Sequence, residues 1–338
     1  MKESYNVAIV GATGIVGTTA LSILEERNFP IKNIYLLASS RSVGETRNFK
    51  GQTLKIEELS QFDFAQTDIC FFCVSNEISA EYAPKAAALG NVVIDKSSHF
   101  RYQSDIPLIV PEVNESEISA FKNHRIIANP NCNTIPIAVA LKPIYDAVGI
   151  ARMNVATYQS VSGTGKEAVA ELAEQSVQVL DESPVTTHVY PQQIAFNVLP
   201  HIDQFEKNGY TREEMKIVWE MQKIFNDYTI AINPTTVRVP VFCGHSAAVH
   251  IETNNKITAA QALKLLKAAP GVKVITGTFP YPTPVKDAAG KDDVFVGRIR
   301  EDLSHPLGLN LWIVADNLRK GAALNAIQVA EKLIGSYL

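Results

Sequence analysis

Two residues of this chain combine reactive side chains with a setting suited to covalent catalysis. Cys132 lies in Asn129-Pro130-Asn131-Cys132-Asn133-Thr134, a cluster of turn and cap residues directly before the apolar run Ile135 to Leu141. A thiol at a helix start meets unpaired N–H groups and the positive end of the macrodipole, which favour the thiolate and supply donors for an oxyanion. The alternative is a structural cysteine at a cap. A nucleophile of this kind needs a base, and of the seven histidines His245 stands out, in Phe242-Cys243-Gly244-His245-Ser246 at a kink after Thr236 to Val241. An imidazole takes a proton from a thiol and returns one to a developing alkoxide. A structural hydrogen-bonding role for His245 is equally open.

The other cysteines read differently. Cys70 and Cys73 form a CxxC, but Asp68 to Val74 has the pattern of a buried strand, on which positions three apart face opposite sides. No second CxxC or histidine pair completes a zinc site, so no metal is expected. Cys243 reads as a packing residue at a strand end.

A second signal is Gly11-Ala12-Thr13-Gly14-Ile15-Val16-Gly17, a glycine turn after a strand and before a helix. Glycines there let the backbone approach a pyrophosphate, which the helix N–H groups receive. The GxxGxxG spacing departs from the usual GxGxxG, and a purely structural turn is the competing reading. The next strand ends in Ala38-Ser39-Ser40-Arg41-Ser42, with no carboxylate for a ribose 2′-hydroxyl. Hydroxyls and the Arg41 guanidinium suit a 2′-phosphate, so NADP is expected over NAD. A solvated loop with an ordinary surface arginine is the alternative.

These residues must be held by a larger framework. Tyr5 to Val10, Ile15 to Arg27 and Ile34 to Ala38 make a βαβ unit. Apolar runs at Ile69 to Val74, Val92 to Ile94, Leu108 to Val110 and Ile126 to Ala128, separated by stretches such as the helical Ile78 to Leu89, predict a parallel sheet covered by helices. Beyond Asn131 the pattern changes to longer strands, Asn154 to Tyr158, Thr236 to Val241 and Ala247 to Glu252, with helices at Gly165 to Val179 and Arg212 to Phe225. The expected class is α/β, a Rossmann-like nucleotide-binding domain over 1–130 plus a second, α+β domain over 131–317. Ala323, Ile327, Ala330 and Ile334 recur at helical spacing with Gly335 as a stop, so a C-terminal helix within 318–338 is expected to complete the first domain. Lys286 to Asp293 is polar enough for a mobile loop.

Composition narrows the class. The 338 residues are 46 % hydrophobic and 20 % charged with a net charge of −4, ordinary globular usage with no long basic run, so neither disorder nor a nucleic-acid partner is expected. Apolar runs stop well short of the roughly 18–20 residues of a membrane span. Four cysteines and no visible export signal point to the cytoplasm.

Taken together and in order, the motifs resemble the bacterial aspartate-β-semialdehyde dehydrogenases over essentially the whole chain. They are Gly11-Ala12-Thr13-Gly14, Ser39-Ser40-Arg41-Ser42, Asp95-Lys96-Ser97-Ser98 with Arg101, Val110-Pro111-Glu112-Val113-Asn114, Asn129-Pro130-Asn131-Cys132, Tyr158-Gln159-Ser160-Val161-Ser162-Gly163, Arg238-Val239-Pro240, Gly244-His245-Ser246 and Asp316-Asn317-Leu318-Arg319-Lys320-Gly321. The resemblance implies NADPH-dependent reduction of L-aspartyl-4-phosphate to L-aspartate-4-semialdehyde with release of phosphate, the branch step toward lysine, threonine, methionine and diaminopimelate.

By motif position the resemblance makes Cys132 the acyl-thioester nucleophile and His245 the general acid/base, while Gln159 orients the acyl group. It assigns Arg238 to the substrate carboxylate and Glu213 to its ammonium. Arg101, Asn131 and Lys216 then take the phosphate. Thr13, Gly14, Ile15, Val16, Arg41, Ser42, Ser162, Gly163 and Asn317 line the cofactor, and the assembly is a homodimer or homotetramer. Without the family, Glu213 and Lys216 would read as an i,i+3 surface ion pair and Arg101 as a solvated charge. Asn133 departs from the Ser or Thr that many relatives carry after the nucleophile, and Ala247 from the acidic residue that often follows the serine. The rivals are a related acyl-phosphate or acyl-CoA reductase with another substrate, and a non-catalytic paralogue that binds nucleotide.

Overall fold

The computed structural model describes residues 2–338, which divide into two compact units, 2–131 with 322–338 and 132–321. The first unit begins with β1 (Tyr5–Val10), α1 (Ile15–Glu26), β2 (Ile31–Ala38), the hairpin β3 (Thr46–Phe49) and β4 (Gln52–Glu58), then β5 (Ile69–Phe72), α2 (Asn76–Ala88), β6 (Val92–Asp95), the single turn α3 (Pro111–Asn114) and β7 (Ile126–Ala128). The strands form one seven-stranded sheet in the order β3-β4-β2-β1-β5-β6-β7, parallel throughout except for the β3–β4 pair. All four residues of β5 are buried, as a central parallel strand covered on both faces requires.

The β3–β4 hairpin has no counterpart in the apolar pattern, because its strands are mostly exposed and polar. The strand expected at Leu108 to Val110 does not form; only Leu108 bridges to Ala128. Pro107 and Pro111 bracket the segment, and the Asn114 amide takes up its polar groups, accepting from Val110 N–H at 2.9 Å and donating to Leu108 C=O at 2.9 Å.

The second unit holds α4 (Thr134–Val148), β8 (Ile150–Gln159), α5 (Lys166–Leu180), α6 (Arg212–Phe225), β9 (Ala231–Arg238), β10 (His245–Thr253), α7 (Ala259–Ala268), β11 (Val272–Val274), β12 (Val294–Glu301) and β13 (Gly308–Ala315). Its six-stranded mixed sheet runs β11-β12-β13-β10-β8-β9. Along β8 the residues Met153, Val155, Thr157 and Gln159 turn inward and alternate with half-buried or exposed neighbours, the period-two signature of a sheet with one covered face. α4, α6 and α7 pack together on this unit. Residues 318–321 lie in it, within a π-helical turn over Arg319–Ala323 that leads into α8 (Leu324–Ser336). Gly335 does not end α8, which continues to Ser336.

Register decides what meets at one end of this sheet. β8 and β9 are parallel with Gln159 beside Arg238, whereas β10 runs antiparallel to β8 and to β13 with His245 opposite Ala315. The C-terminal ends of β8, β9 and β13 therefore gather around the N-terminal end of β10. β9 ends at Arg238, earlier than the expected Val241; the chain bends through 240–243, as expected of a kink, and His245 then opens β10, while Cys243 lies in the turn between β9 and β10 rather than at a strand end. The segment 286–293 is not a bare loop: a π-turn covers Pro284–Ala288, Ala288 is fully buried, and Gly290 N–H donates to Asp316 Oδ2 at 2.7 Å.

Candidate active site

Cys132 is half-buried in a turn two residues before α4, so the helix starts slightly later than the sequence suggests. Its backbone is packed closely: a Cβ on Gly321 would stand 3.1 Å from Cys132 O and 3.2 Å from Cys132 Cβ, a space only glycine leaves open. Asn133 is buried, and its amide nitrogen lies 3.8 Å from Cys132 Sγ and donates to Glu213 Oε1 at 3.2 Å. Asn133 makes no side-chain cap on α4; it ties the segment that carries Cys132 to Glu213.

Glu213 is placed by the start of α6. Thr211 and Glu214 form a capping box, and Glu214 Oε1 also accepts from Thr236 N–H at 3.0 Å, which fastens the helix end to β9. Gln159 Nε2 donates to Thr157 Oγ1 and to Glu213 Oε1, each at 3.3 Å. Lys216, one turn on, reaches Glu213 Oε2 at 3.0 Å and Asp203 Oδ2 at 2.8 Å. Burial works against its ammonium, but Glu213 and then Asp203 outweigh that and hold it above its ordinary pKa. The i,i+3 pair is therefore real but largely buried. Asp203 carried no sequence signal, since it sits in irregular chain.

Arg238 and His245 share the next layer. Arg238 is 5 % exposed; Nη1 donates to Ser160 C=O at 2.7 Å, the guanidinium lies over the Tyr190 ring with its centre 6.0 Å from the centroid, and Nε has no hydrogen-bond partner among the described residues. His245 Nδ1 accepts from Ser160 N–H at 3.0 Å, and Nε2 likewise has no partner among those residues. A Cβ on Gly163 would lie 3.2 Å from both Arg238 Nη1 and His245 Nε2, so these two atoms border one small space kept clear by glycine. Buried polar atoms are seldom left unsatisfied unless a ligand completes them. Behind His245, Asn317 Oδ1 accepts from Gly244 N–H at 2.9 Å, Ser160 Oγ at 3.1 Å and Ser162 Oγ at 3.2 Å. Asp316 accepts from Leu318 and Arg319 N–H and fixes the turn that carries Gly321. Ser160, Tyr190 and Asp316 were not singled out in the sequence; Ser160 and Asp316 lie inside motifs, whereas Tyr190 lies in a loop with no periodicity.

Burial first and then Arg238 push the His245 pKa down from 6.5 to about 3. Below its ordinary pKa the unfolded imidazole binds a proton that the folded one does not, so this group's contribution to stability is whole above 6.5 and is lost as pH falls toward 3. The expected limiting slope is about 1.4 kcal/mol per pH unit, read as urea midpoints between about pH 6 and 4 and removed in His245→Gln. Equal slopes in both proteins would contradict it. Cys70, Cys73 and Cys243 are pushed up by burial to about 12, 11 and 12, which makes them poor nucleophiles. No group of three or more metal-ligating side chains is found among the described residues.

The remaining predicted residues belong to the first unit. Gly11 has φ +85, and a Cβ there would lie 2.4 Å from Cys73 O, while one on Gly17 would lie 2.2 Å from Gly11 O, so the turn packs too tightly for side chains. Gly14 precedes α1 in extended conformation; no side chain caps the helix and no acidic residue stands in its first turn. Thr13, Gly14, Ile15 and Val16 thus form a helix start suited to a pyrophosphate. Arg41 and Ser42 sit in a short turn after β2, with Arg41 exposed. Arg101 is 5 % exposed and donates to Lys96 C=O at 2.6 Å; Asn131 is buried at the unit's end. Ser162, Gly163 and Asn317 lie in the second unit.

Residues 6–121 match the family described as semialdehyde dehydrogenase, NAD binding domain, and residues 141–320 match semialdehyde dehydrogenase, dimerisation domain. The aspartate-semialdehyde dehydrogenase of Legionella pneumophila is 60 % identical, covering 100 % of this chain and 98 % of that protein. This chain belongs to the aspartate-semialdehyde dehydrogenase family. Two crystal structures of aspartate-semialdehyde dehydrogenases show the same architecture. The Vibrio cholerae enzyme II complexed with ASA has a TM-score of 0.98 at 56 % identity, with 100 % of each chain covered. A probable member from Pseudomonas aeruginosa has 0.95 at 34 %, covering 99 % and 100 %. Within the aspartate-semialdehyde dehydrogenase family the first unit is thus the nicotinamide-dinucleotide domain, and the second is the dimerisation domain. No helix among the described residues is long and apolar enough to cross a membrane.

Proposed function

We propose that this chain reduces L-aspartyl-4-phosphate to L-aspartate-4-semialdehyde with NADPH and releases phosphate, as a step of amino-acid biosynthesis. The observation that carries this reading is that a buried guanidinium, Arg238, and a buried carboxylate, Glu213, both act on the His245 imidazole, while the Asn133 amide links Glu213 to Cys132. The first reads a carboxylate and the second an ammonium, as an amino-acid substrate requires. A general acyl-phosphate or acyl-CoA reductase has no use for that pair, and a retired nucleotide-binding paralogue has no use for Cys132 and His245.

Cys132 attacks the acyl carbonyl as thiolate, forming the C–S bond as the C–O bond to phosphate breaks. Phosphate is received by Arg101, Asn131 and Lys216, and Gln159 orients the acyl group. NADPH, when bound, supplies the hydride that reduces the thioester. His245 Nε2 exchanges the proton at the thiohemiacetal oxygen, and the oxygen is freed of it as the C–S bond breaks and the aldehyde leaves. The glycine turn with Thr13, Gly14, Ile15 and Val16 takes the pyrophosphate, Arg41 and Ser42 the 2′-phosphate, and Ser162, Gly163 and Asn317 the nicotinamide end. The two units, up to Asn131 with Ala322–Leu338 and Cys132–Gly321, serve this division of labour. We place the protein in the cytoplasm as a homodimer or homotetramer; its four free cysteines suit a reducing compartment.

The test is NADP reduction by purified protein with L-aspartate-4-semialdehyde, with and without phosphate. Phosphate-dependent turnover is expected, and its absence in folded, NADP-binding protein would refute the reading. Arg41→Ala is expected to raise KM for NADP about tenfold or more, the worth of one charged hydrogen bond, and to leave KM for NAD unchanged. Equal effects on both cofactors would remove Arg41 from the 2′-phosphate site.

A further inference from the structure

Ser160 surrounds one nitrogen of His245 with two groups of opposite character. Its backbone N–H donates to Nδ1 at 3.0 Å, and its hydroxyl oxygen lies 3.1 Å from the same atom. The hydroxyl has one proton: given to Asn317 Oδ1 at 3.1 Å it leaves oxygen lone pairs for a proton on Nδ1, and turned to Nδ1 it donates to that nitrogen's lone pair. Ser160 is fully buried and Asn317 2 % exposed, so water does not replace either contact. The charged groups acting on this imidazole are Arg238, which opposes a positive charge, and Glu213, which favours one.

With the N–H bond made, Nδ1 is a lone pair and neutral His245 carries its proton on Nε2. In that form the ring donates toward the substrate but cannot take a proton from a thiol. A ring that accepts at Nε2 must hold its proton on Nδ1, and such a proton needs an acceptor that the backbone N–H cannot be. We propose that Ser160 is the positioning residue that makes His245 both acid and base: its N–H holds the Nε2–H tautomer, and its hydroxyl accepts from Nδ1–H when Nε2 is to receive a proton. The change of tautomer takes a proton from water onto Nδ1 and returns the Nε2 proton to water before the substrate binds; the thiol S–H bond of Cys132 then breaks as Nε2–H forms, giving an imidazolium whose Nδ1–H rests on Ser160 Oγ. That Nε2 proton later passes to the thiohemiacetal oxygen. Asn317 keeps the hydroxyl turned the right way.

This rests on the assignment of His245 as the acid/base, and the experiment separates the two. Ser160→Ala keeps the N–H and removes the acceptor; kcat is expected to fall about 10- to 50-fold, part of what general acid/base catalysis supplies. KM for the semialdehyde and for NADP is expected to stay unchanged, and Ser160→Thr, which restores a hydroxyl, to recover most of the loss. A kcat for Ser160→Ala equal to the unaltered protein's, a loss carried on KM, or a Thr variant no better than Ala would overturn the proposal. Should the variants fail to fold, ¹⁵N spectra of histidine-labelled native protein decide: a neutral ring at pH 7 with its lone pair on Nδ1 is expected, and a ring protonated only on Nδ1 would overturn it. If His245→Gln retains full turnover, the acid/base assignment itself falls, whatever Ser160 does.

Discussion

Cys132→Ala is expected to fold and bind NADP yet to lose phosphate-dependent turnover of L-aspartate-4-semialdehyde by about 10⁴-fold or more, the scale on which removing a catalytic nucleophile acts. No other group can substitute. The remaining thiols are driven far from the thiolate form by burial, and Asn133 and Glu213 beside Cys132 offer only hydrogen bonds and charge. Water attacking the acyl phosphate would give the acid rather than the aldehyde, so residual NADPH-linked turnover would mean that no thioester lies on the path. The check is a steady-state assay beside a near-ultraviolet spectrum that confirms the fold.

Arg238→Leu should be nearly as damaging, and on a different parameter. Removing one partner of a buried charged contact costs about 2–5 kcal/mol, which corresponds to about 30- to 5,000-fold in kcat/KM for the amino-acid substrate. Slow turnover of propanal, which has no carboxylate to read, should be unchanged. The contrast matters because Arg238 also donates to Ser160 C=O, and that contact helps hold His245. If propanal and L-aspartate-4-semialdehyde lose rate equally, the arginine serves as a brace and carboxylate recognition must lie elsewhere.

Much of this was legible in the residues. Glycine turns, strand runs and the helices at Arg212 and Lys166 announce themselves through period and local chemistry, and Cys132 stands in a setting that only a few residues define. The meeting of the strand ends was less legible. That Gln159, Arg238 and His245 meet follows from β8 and β9 being parallel and β10 antiparallel, a matter of sheet order that no local pattern records. The β3–β4 hairpin was hidden because its strands have little apolar face to alternate. Leu108 to Val110 misled for the opposite reason: an apolar run between two prolines was claimed by the side chain of Asn114. Asp203, whose carboxylate pairs with Lys216, sits in irregular chain where only the fold brings it near.

The bond from Ser160 to Asn317 spans 157 residues, and the turn that follows Asn317 presses Gly321 against Cys132. During synthesis on a ribosome, the turn that carries Cys132 and the end of β8 that leads to Ser160 are thus made long before the segment that seats them. Contacts this distant in sequence form late, after the entropy of closing a long loop has been overcome. The surroundings of Cys132 are therefore completed only when almost the entire chain has emerged, so a truncated or stalled product carries the cysteine without the segment that packs against it.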